Sequence, residues 1–296
     1  MHYATLKTQY AQWLQTLGFS AHSVYGYPNM LHYFFNYLFD NGIFSIAHLN
    51  STHVTNYFNY LQNRPNKRRN GALSTAHLNK SFDAIDKFLE FLQHHGSLNS
   101  PQPTQYRIID TDSAQRIKVL TKQDITILYK GVENMFTHMS LNSIMPRRAL
   151  ATLLLDLCYG CGLRKSEAYY LQVTDVDLDK CMLFVRQAKG YKDRHVPMSA
   201  AITQRIKLFI YQYRKTFKAN HNRLWPYSLV AMPDYFNLLR RDSGLQAPAT
   251  LHTLRHSIAT HLLQNGMSVE QIAKFLGHST LDSTQVYTHL LQHNDN

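Results

Sequence analysis

The sequence predicts a mainly α-helical fold in two domains, with one small β element in the second. Three features support this. Apolar residues recur at helical spacing along most of the chain, residues 181–197 switch to strand-like composition, and one stretch without apolar periodicity separates a short N-terminal part from a longer one. With 296 residues, 44% hydrophobic and 17% charged, the chain is too long for a disulfide-stapled mini-protein and too apolar for a disordered tail.

Residues 4–17 place Leu6, Tyr10, Trp13, Leu14 and Leu17 at helical spacing, and a second aromatic helix runs through Met30, Leu31, Phe34, Phe35 and Leu38. Gly18 and Gly42 end them. Two further helices are expected around Val54–Leu61 and Leu78–Leu92, with the basic run Arg64, Lys67, Arg68 and Arg69 in the loop between. The result is an all-α domain over residues 1–95, whose rings fall at core spacing and so read as helix packing, not base stacking. His94 to Gln105 contains Gly96, Pro101 and Pro103 and shows no periodicity, which places a linker at residues 96–115.

The second domain spans residues 116–296. Thr121 and Asp124 start a helix in the manner of a capping box, with Asp where Glu or Gln is usual. Arg147 to Tyr159 is strongly apolar and belongs at the domain's centre. Cys181–Arg186 and Arg194–Pro197 flank Lys189-Gly190-Tyr191-Lys192-Asp193, a β-hairpin with a basic tip. Helices resume near Ala200. Three short ones close the chain: Leu254 to Gln264, stopped by Gly266; Val269 to Leu276, boxed by Ser268 and Gln271 and ended by Gly277; and one from about Ser283.

Lys and Arg number 31 against 19 Asp and Glu, a net charge of +12 and a pI near 9.5, which points to a polyanionic partner. Residues 1–100 hold seven basic and four acidic residues, so most of the positive charge lies beyond them. Between Lys7 and Arg64 the only formal charge is Asp40, but polar residues interrupt every apolar run before it reaches spanning length, and no membrane partner is expected. Three cysteines and an opening Met1-His2-Tyr3 without an apolar run indicate a reduced, cytoplasmic protein with no secretion signal.

Two motifs suggest metal and fail. Cys158-x-x-Cys161 lacks two further ligands at zinc spacing, so buried cysteines are expected. His252 and His256 sit four apart on a helix, but the general-base Glu of metalloproteases is missing and Arg255 between them would repel a cation. No metal and no other cofactor is expected. Ser268 to Ser279 reads as the first helix and turn of a helix-turn-helix, bent at Gly277, or as a helical hairpin without a DNA role.

Five ordered segments decide between these readings: Gly162-Leu163-Arg164-Lys165-Ser166-Glu167, Lys189 on the hairpin, His252-Thr253-Leu254-Arg255-His256, Leu276-Gly277-His278-Ser279, and Tyr287-Thr288-His289. Together they resemble the tyrosine recombinase (phage integrase) family, closest to its compact Xer-like members. The resemblance covers both domains: residues 1–95 are similar to the family's core-binding (SAM-like) domain, and those from about 115 to its catalytic domain. It implies a clamp on duplex DNA with paired inverted half-sites, a dimer per site and a tetramer in the synapse. Strand exchange would run through 3′-phosphotyrosyl intermediates and a Holliday junction.

The residues fit this chemistry on their own terms. Cutting and rejoining a phosphodiester without metal needs a nucleophile, cationic stabilisation of the transition state and an acid for the leaving oxygen. Arg164 and Arg255 offer planar forks for the non-bridging oxygens. His252 and His278 supply donors or proton exchange near neutral pH. Tyr287 is the candidate nucleophile, and a phosphotyrosyl bond would retain the energy of the broken linkage, so rejoining needs no ATP. By resemblance, Lys189 is the general acid for the 5′-oxygen and Glu167 orients the basic residues. Lys192 is the rival for the acid role, which the family pattern gives to the first lysine; otherwise Lys192 and Arg194, with Arg64, Lys67, Arg68 and Arg69, are candidate phosphate contacts.

Two features depart from the family. Only nine residues follow Tyr287, with Leu290 and Leu291 as the apolar anchors of a short tail where compact relatives dock a longer segment onto a neighbour. No arm-binding domain precedes the helical domain, which points to short core sites. The alternatives are a non-catalytic helix-turn-helix regulator, opposed by the retained arginines, histidines and tyrosine, and a type IB topoisomerase-like enzyme, opposed by the two-domain layout.

Overall fold

Four helices, α1 (Tyr3–Thr16), α2 (Ala21–Asp40), α3 (Ser51–Asn63) and α4 (Thr75–His94), build the first of two units into which the chain divides, Met1–Gln115 and Arg116–Asn296. The computed structural model describes residues 3–66, 71–95, 100–108, 118–186 and 193–277. Helices α2, α3 and α4 each begin where Ser20, Asn50 or Ser74 accepts an N–H that the helix cannot satisfy. The aromatic residues interlock inside the unit: Phe34 meets Tyr57 at 4.8 Å between ring centroids and Phe58 meets Phe82 at 4.3 Å. Tyr10 is fully buried, and its hydroxyl donates to the Ala84 carbonyl at 2.9 Å, so no polar atom is stranded there.

Several details differ from the sequence expectation. Leu17 is exposed, because α1 stops at Thr16 and Gly18, at φ +77°, turns the chain away from the buried face. Helix α2 starts nine residues before Met30 and runs through Pro28, whose buried ring is packed where one backbone hydrogen bond is missing. Residues 100–108, inside the expected linker, are tied to α4. The buried Asp86 carboxylate accepts from the Thr104 and Gln105 amides at 2.8 and 3.0 Å and from Arg107 at 3.0 Å, while Asn79 exchanges two hydrogen bonds with Ile108. These anchors are polar, so no apolar period announces them.

The second unit contains α5 (Lys122–Gly131), α6 (Leu141–Leu155), α7 (Lys165–Tyr170), a three-stranded antiparallel sheet, α8 (Ala200–Leu208), α9 (Ala231–Asp242), α10 (Leu251–Gln264) and α11 (Val269–Leu276). The strands β1 (Val176–Asp177), β2 (Met182–Val185) and β3 (Arg194–Pro197) lie in chain order, with buried Leu183 opposite buried Val196. The fold is thus mainly α with a small sheet, as expected. The Thr121–Asp124 box forms: the Asp124 carboxylate accepts from the Thr121 amide at 2.9 Å. Helix α6 begins at Leu141 and, from Asp156 to Gly160, widens into a π turn. There Asp156, fully buried, takes two hydrogen bonds from Arg205 and one from Tyr129. Burial nonetheless pushes its carboxyl above the usual range.

The core of this unit gathers around Leu150, Leu154, Leu155, Trp225 and Phe236. Cys158 and Cys161 are free and fully buried within it, and burial raises the Cys158 thiol to about 12. Helix α10 starts three residues earlier than Leu254, because Thr250 and Thr253 form a reciprocal cap. The Ser268–Gln271 box and the left-handed Gly277 bound α11 as expected. The hairpin tip at 187–192 and the helix expected from about Ser283 lie outside the described residues. Among the described residues, no helix is long and apolar enough to cross a membrane.

Candidate active site

The apolar α6 and its π turn deliver the chain to Cys161-Gly162-Leu163, and the turn that follows presents Arg164. Gly162 has φ +61°, and a Cβ there would sit 2.8 Å from Leu276 Cδ2 and 3.0 Å from Phe275 Cε1. Glycine is therefore required twice, for the backbone angle and for the close approach of α11. Arg164 is the N-cap residue of α7, and Glu167, at the third helical position, accepts the Arg164 amide at 2.9 Å. The box that starts α7 thus also fixes a carboxylate next to a guanidinium: Arg164 Nη1 donates to Glu167 Oε1 at 2.7 Å.

Two more arginines reach the same carboxylate. Arg194 on β3 donates from Nη1 and Nη2 to both Glu167 oxygens, at 3.2 and 2.9 Å. Arg255, one turn into α10, places Nη1 3.7 Å from Glu167 Oε2 and donates to the Gly162 carbonyl. Burial alone would raise the Glu167 carboxyl, but hydrogen bonds and charge from Arg194, then Arg164, outweigh it and hold the group at about 2. Glu167 is therefore a carboxylate throughout the physiological range.

The guanidiniums have a second shared support. The last carbonyls of α11 accept one arginine each: Phe275 from Arg194 at 3.0 Å, Leu276 from Arg255 at 2.8 Å, and Gly277 from Arg164 at 3.1 Å. A helix C-terminus carries orphan carbonyls and partial negative charge, so cations are favoured there. Arg164 remains 32% exposed at its side chain and Arg255 only 5%.

His252 lies on the exposed face of α10, three residues before Arg255, its ring 6.5 Å from that of His256. Burial, then the charges of Arg255, Lys165 and Arg164, lower its pKa below the ordinary histidine value, so the imidazole is neutral near pH 7. His256 is lowered for the same kind of reason. Among the described residues, no three His, Cys, Asp or Glu side chains come together as a metal site.

The structure thus brings together Arg164, Glu167, Arg255 and His252 from segments up to 91 residues apart in the sequence. Lys189, Lys192, His278, Tyr287, Lys67, Arg68 and Arg69 lie outside the described residues. Arg64 caps the end of α3 in the first unit, its amide donating to Tyr60. Arg194 is held from inside the domain. Its place beside a basic hairpin tip suggests a phosphate contact, yet its side chain is 9% exposed and its described hydrogen bonds all run to Glu167 and Phe275.

The model of the phage integrase family matches residues 118–294, which contain this whole cluster. The chain belongs to that family. Among its relatives, tyrosine recombinase XerA of Thermococcus onnurineus is 35% identical over 156 residues, 50% of this chain and 54% of that protein. The chain spans about half the length of that relative. Tyrosine recombinase XerD of Listeria innocua is 27% identical over 289 residues, 92% of this chain and 89% of that protein. A lambda integrase tetramer bound to a Holliday junction shares the fold at a TM-score of 0.68 and 15% identity, covering 97% of this chain and 77% of that one.

In this integrase-family site, sequence reasoning missed the three carbonyls at the end of α11. The signal was present, because a glycine-terminated helix leaves carbonyls that need donors, and three arginines lay in neighbouring motifs.

Proposed function

We propose that this chain is a site-specific DNA recombinase that cuts and rejoins duplex DNA through a 3′-phosphotyrosyl intermediate. The single observation that supports it best is the convergence of Arg164 and Arg255 on one carboxylate and one helix end, with His252 alongside. Two forks held at fixed separation suit the non-bridging oxygens of one phosphate, and that preorganisation stabilises charge as it develops in the transition state.

The Tyr287 oxygen attacks phosphorus, the bond from phosphorus to the 5′-oxygen breaks, and the 3′-phosphate passes to the tyrosine. Neutral His252 can accept a proton as the phenol is deprotonated, and His278 adds a second donor or acceptor. Lys189 returns a proton to the departing 5′-oxygen. The 5′-hydroxyl of a second duplex then reverses the sequence, so bond energy is conserved and no nucleotide cofactor is consumed. Glu167 sets the orientation of the arginines and touches neither strand.

On the DNA side, the basic run from Arg64 to Arg69 and Lys192 contact phosphates of a duplex carrying inverted half-sites. Two protomers occupy each site and four assemble at synapsis, as in the lambda integrase tetramer on a Holliday junction. The protein acts on cytoplasmic, nucleoid DNA of a bacterial host, as part of a mobile element or a resolution system.

The test is covalent capture. Purified protein is incubated in EDTA with nicked suicide duplexes tiled across the DNA flanking its own gene. An SDS-resistant protein–DNA adduct is expected. Specific binding without an adduct, on duplexes covering the bound site, would instead make the chain a non-catalytic regulator.

A further inference from the structure

We propose that Arg194 is a positioning residue for strand cleavage, a third guanidinium that locks Glu167 to the end of α11 so that Arg164 and Arg255 meet the scissile phosphate in one geometry. The proposal rests on the recombinase reading above. The Arg194 side chain is 9% exposed, and its described hydrogen bonds all run to Glu167 and to the Phe275 carbonyl. Its fork grips both Glu167 oxygens at 3.2 and 2.9 Å, and Nε holds the Phe275 carbonyl at 3.0 Å.

Every described partner of Arg194 is also a partner, or the chain neighbour of a partner, of the two arginines assigned to the phosphate. Glu167 pairs with Arg164 and Arg255, and the carbonyls of Leu276 and Gly277, next along from Phe275, accept from Arg255 and Arg164. One carboxylate and one helix end therefore hold three cations. With Arg194 removed, both Glu167 oxygens turn to the remaining two guanidiniums. Arg255, now 3.7 Å away and donating to the Gly162 and Leu276 carbonyls, would then compete with Arg164 for Glu167 and shift its fork from the geometry set for the phosphate. The Phe275 carbonyl also loses its donor, loosening the end of α11 immediately before His278.

The location on β3 adds a second coupling. Arg194 follows Lys189 by five residues in the sequence, so the bonds to Phe275 and Glu167 tie β3, which begins shortly after the proposed general acid, to the helix that ends just before His278. A lysine could supply the charge but not the fork that spans two carboxylate oxygens and a carbonyl. The groups facing Glu167 are Arg164 from the start of α7, Arg194 from β3, Arg255 from α10 and the buried Cys158 thiol from the π turn.

The experiment compares wild type, R194M, R194K, E167Q and the double variant R194M/E167Q on one suicide duplex. Single-turnover adduct rates at saturating protein are measured separately from DNA affinity across a salt series. The expected result is an adduct rate about 10- to 100-fold lower in R194M, with affinity and salt slope unchanged. Only partial recovery is expected in R194K, and the double variant should be no slower than the slower single. A wild-type rate with weakened, less salt-dependent binding would overturn the proposal and return Arg194 to the phosphate contacts. Losses that multiply in the double variant would overturn the route through Glu167. Should R194M fail to fold, R194K decides: a slower rate at wild-type affinity supports the proposal, and a wild-type rate overturns it. If wild type itself forms no adduct, the recombinase reading falls, whereas a wild-type adduct matched by R194M removes only the role of Arg194.

Discussion

Replacing Glu167 with glutamine keeps the side chain's shape and removes the negative charge that three guanidinium groups share. The carboxyl is held at about 2 against an ordinary 4.5, and at about 1.4 kcal/mol per unit this difference is about 3 kcal/mol of native-state stabilisation. Independently, removing one partner from a buried ion pair costs about 3–5 kcal/mol, and the side chains of Glu167, Arg255 and Arg194 are only 7%, 5% and 9% exposed. The amide also aims two donors at groups that are all donors. We expect Glu167→Gln to destabilise the second unit by about 3–5 kcal/mol at pH 7.

The sign with pH follows from a depressed pKa. Stability from the Glu167 carboxylate is fully present above its unfolded value near 4.5 and is lost as pH falls from there towards 2. Wild type should lose this stability over that window, and the variant should not. Only two tryptophans are present, and Trp225 is fully buried in the second unit. Denaturant unfolding followed by Trp225 fluorescence in a Trp13→Phe background therefore reads that unit alone. A loss below about 1 kcal/mol, the range of exposed pairs, or an acid limb identical to wild type, would refute the shared-carboxylate account.

Two further perturbations address the frame and the DNA. Gly162→Ala places a Cβ at φ +61° and 2.8 Å from Leu276 Cδ2, and should cost about 1–3 kcal/mol in the same unfolding assay while slowing adduct formation; wild-type behaviour in both would show that α11 moves away freely. Changing Arg64, Lys67, Arg68 and Arg69 together to glutamine should weaken DNA binding and reduce its salt slope by about 0.9 for each phosphate no longer neutralised, with the rate on bound DNA unchanged; an unaltered slope would take the run out of the interface.

What could be read from the sequence was what is local. The Thr121–Asp124 and Ser268–Gln271 boxes and the left-handed Gly277 form within four residues of one another or within one residue, and they stand where the sequence places them. The strand pairing around 181–197 was equally legible, since composition and a basic turn mark it. The strap at 100–108 was not, because Asp86 holds it through hydrogen bonds to backbone amides and to the Thr104 and Arg107 side chains rather than through an apolar stripe. The early start of α2 was hidden as well, because Pro28 argues against helix where buried packing outweighs the missing N–H.

In the site, the spacing of motifs found Arg164, Glu167, His252 and Arg255 but not how they are held. Arg194 lies 27 residues from Glu167 and 81 from Phe275, and an arginine on a short strand beside a basic turn reads as solvent-facing until the fold turns it inward. The π turn at Asp156–Gly160 likewise left no mark in the period of α6, yet the chain passes through it to reach Gly162 and Arg164.

Covalent transfer of a DNA 3′-phosphate to Tyr287 is tested most directly by mapping the adduct. Wild type and Tyr287→Phe are incubated in EDTA with a nicked suicide duplex, and the DNA-linked peptide is identified by mass spectrometry. The predicted result is a phosphotyrosyl peptide containing Tyr287 in wild type, and normal DNA binding with no adduct in Tyr287→Phe. An adduct that persists in Tyr287→Phe, or one that maps to a peptide without this residue, would contradict it.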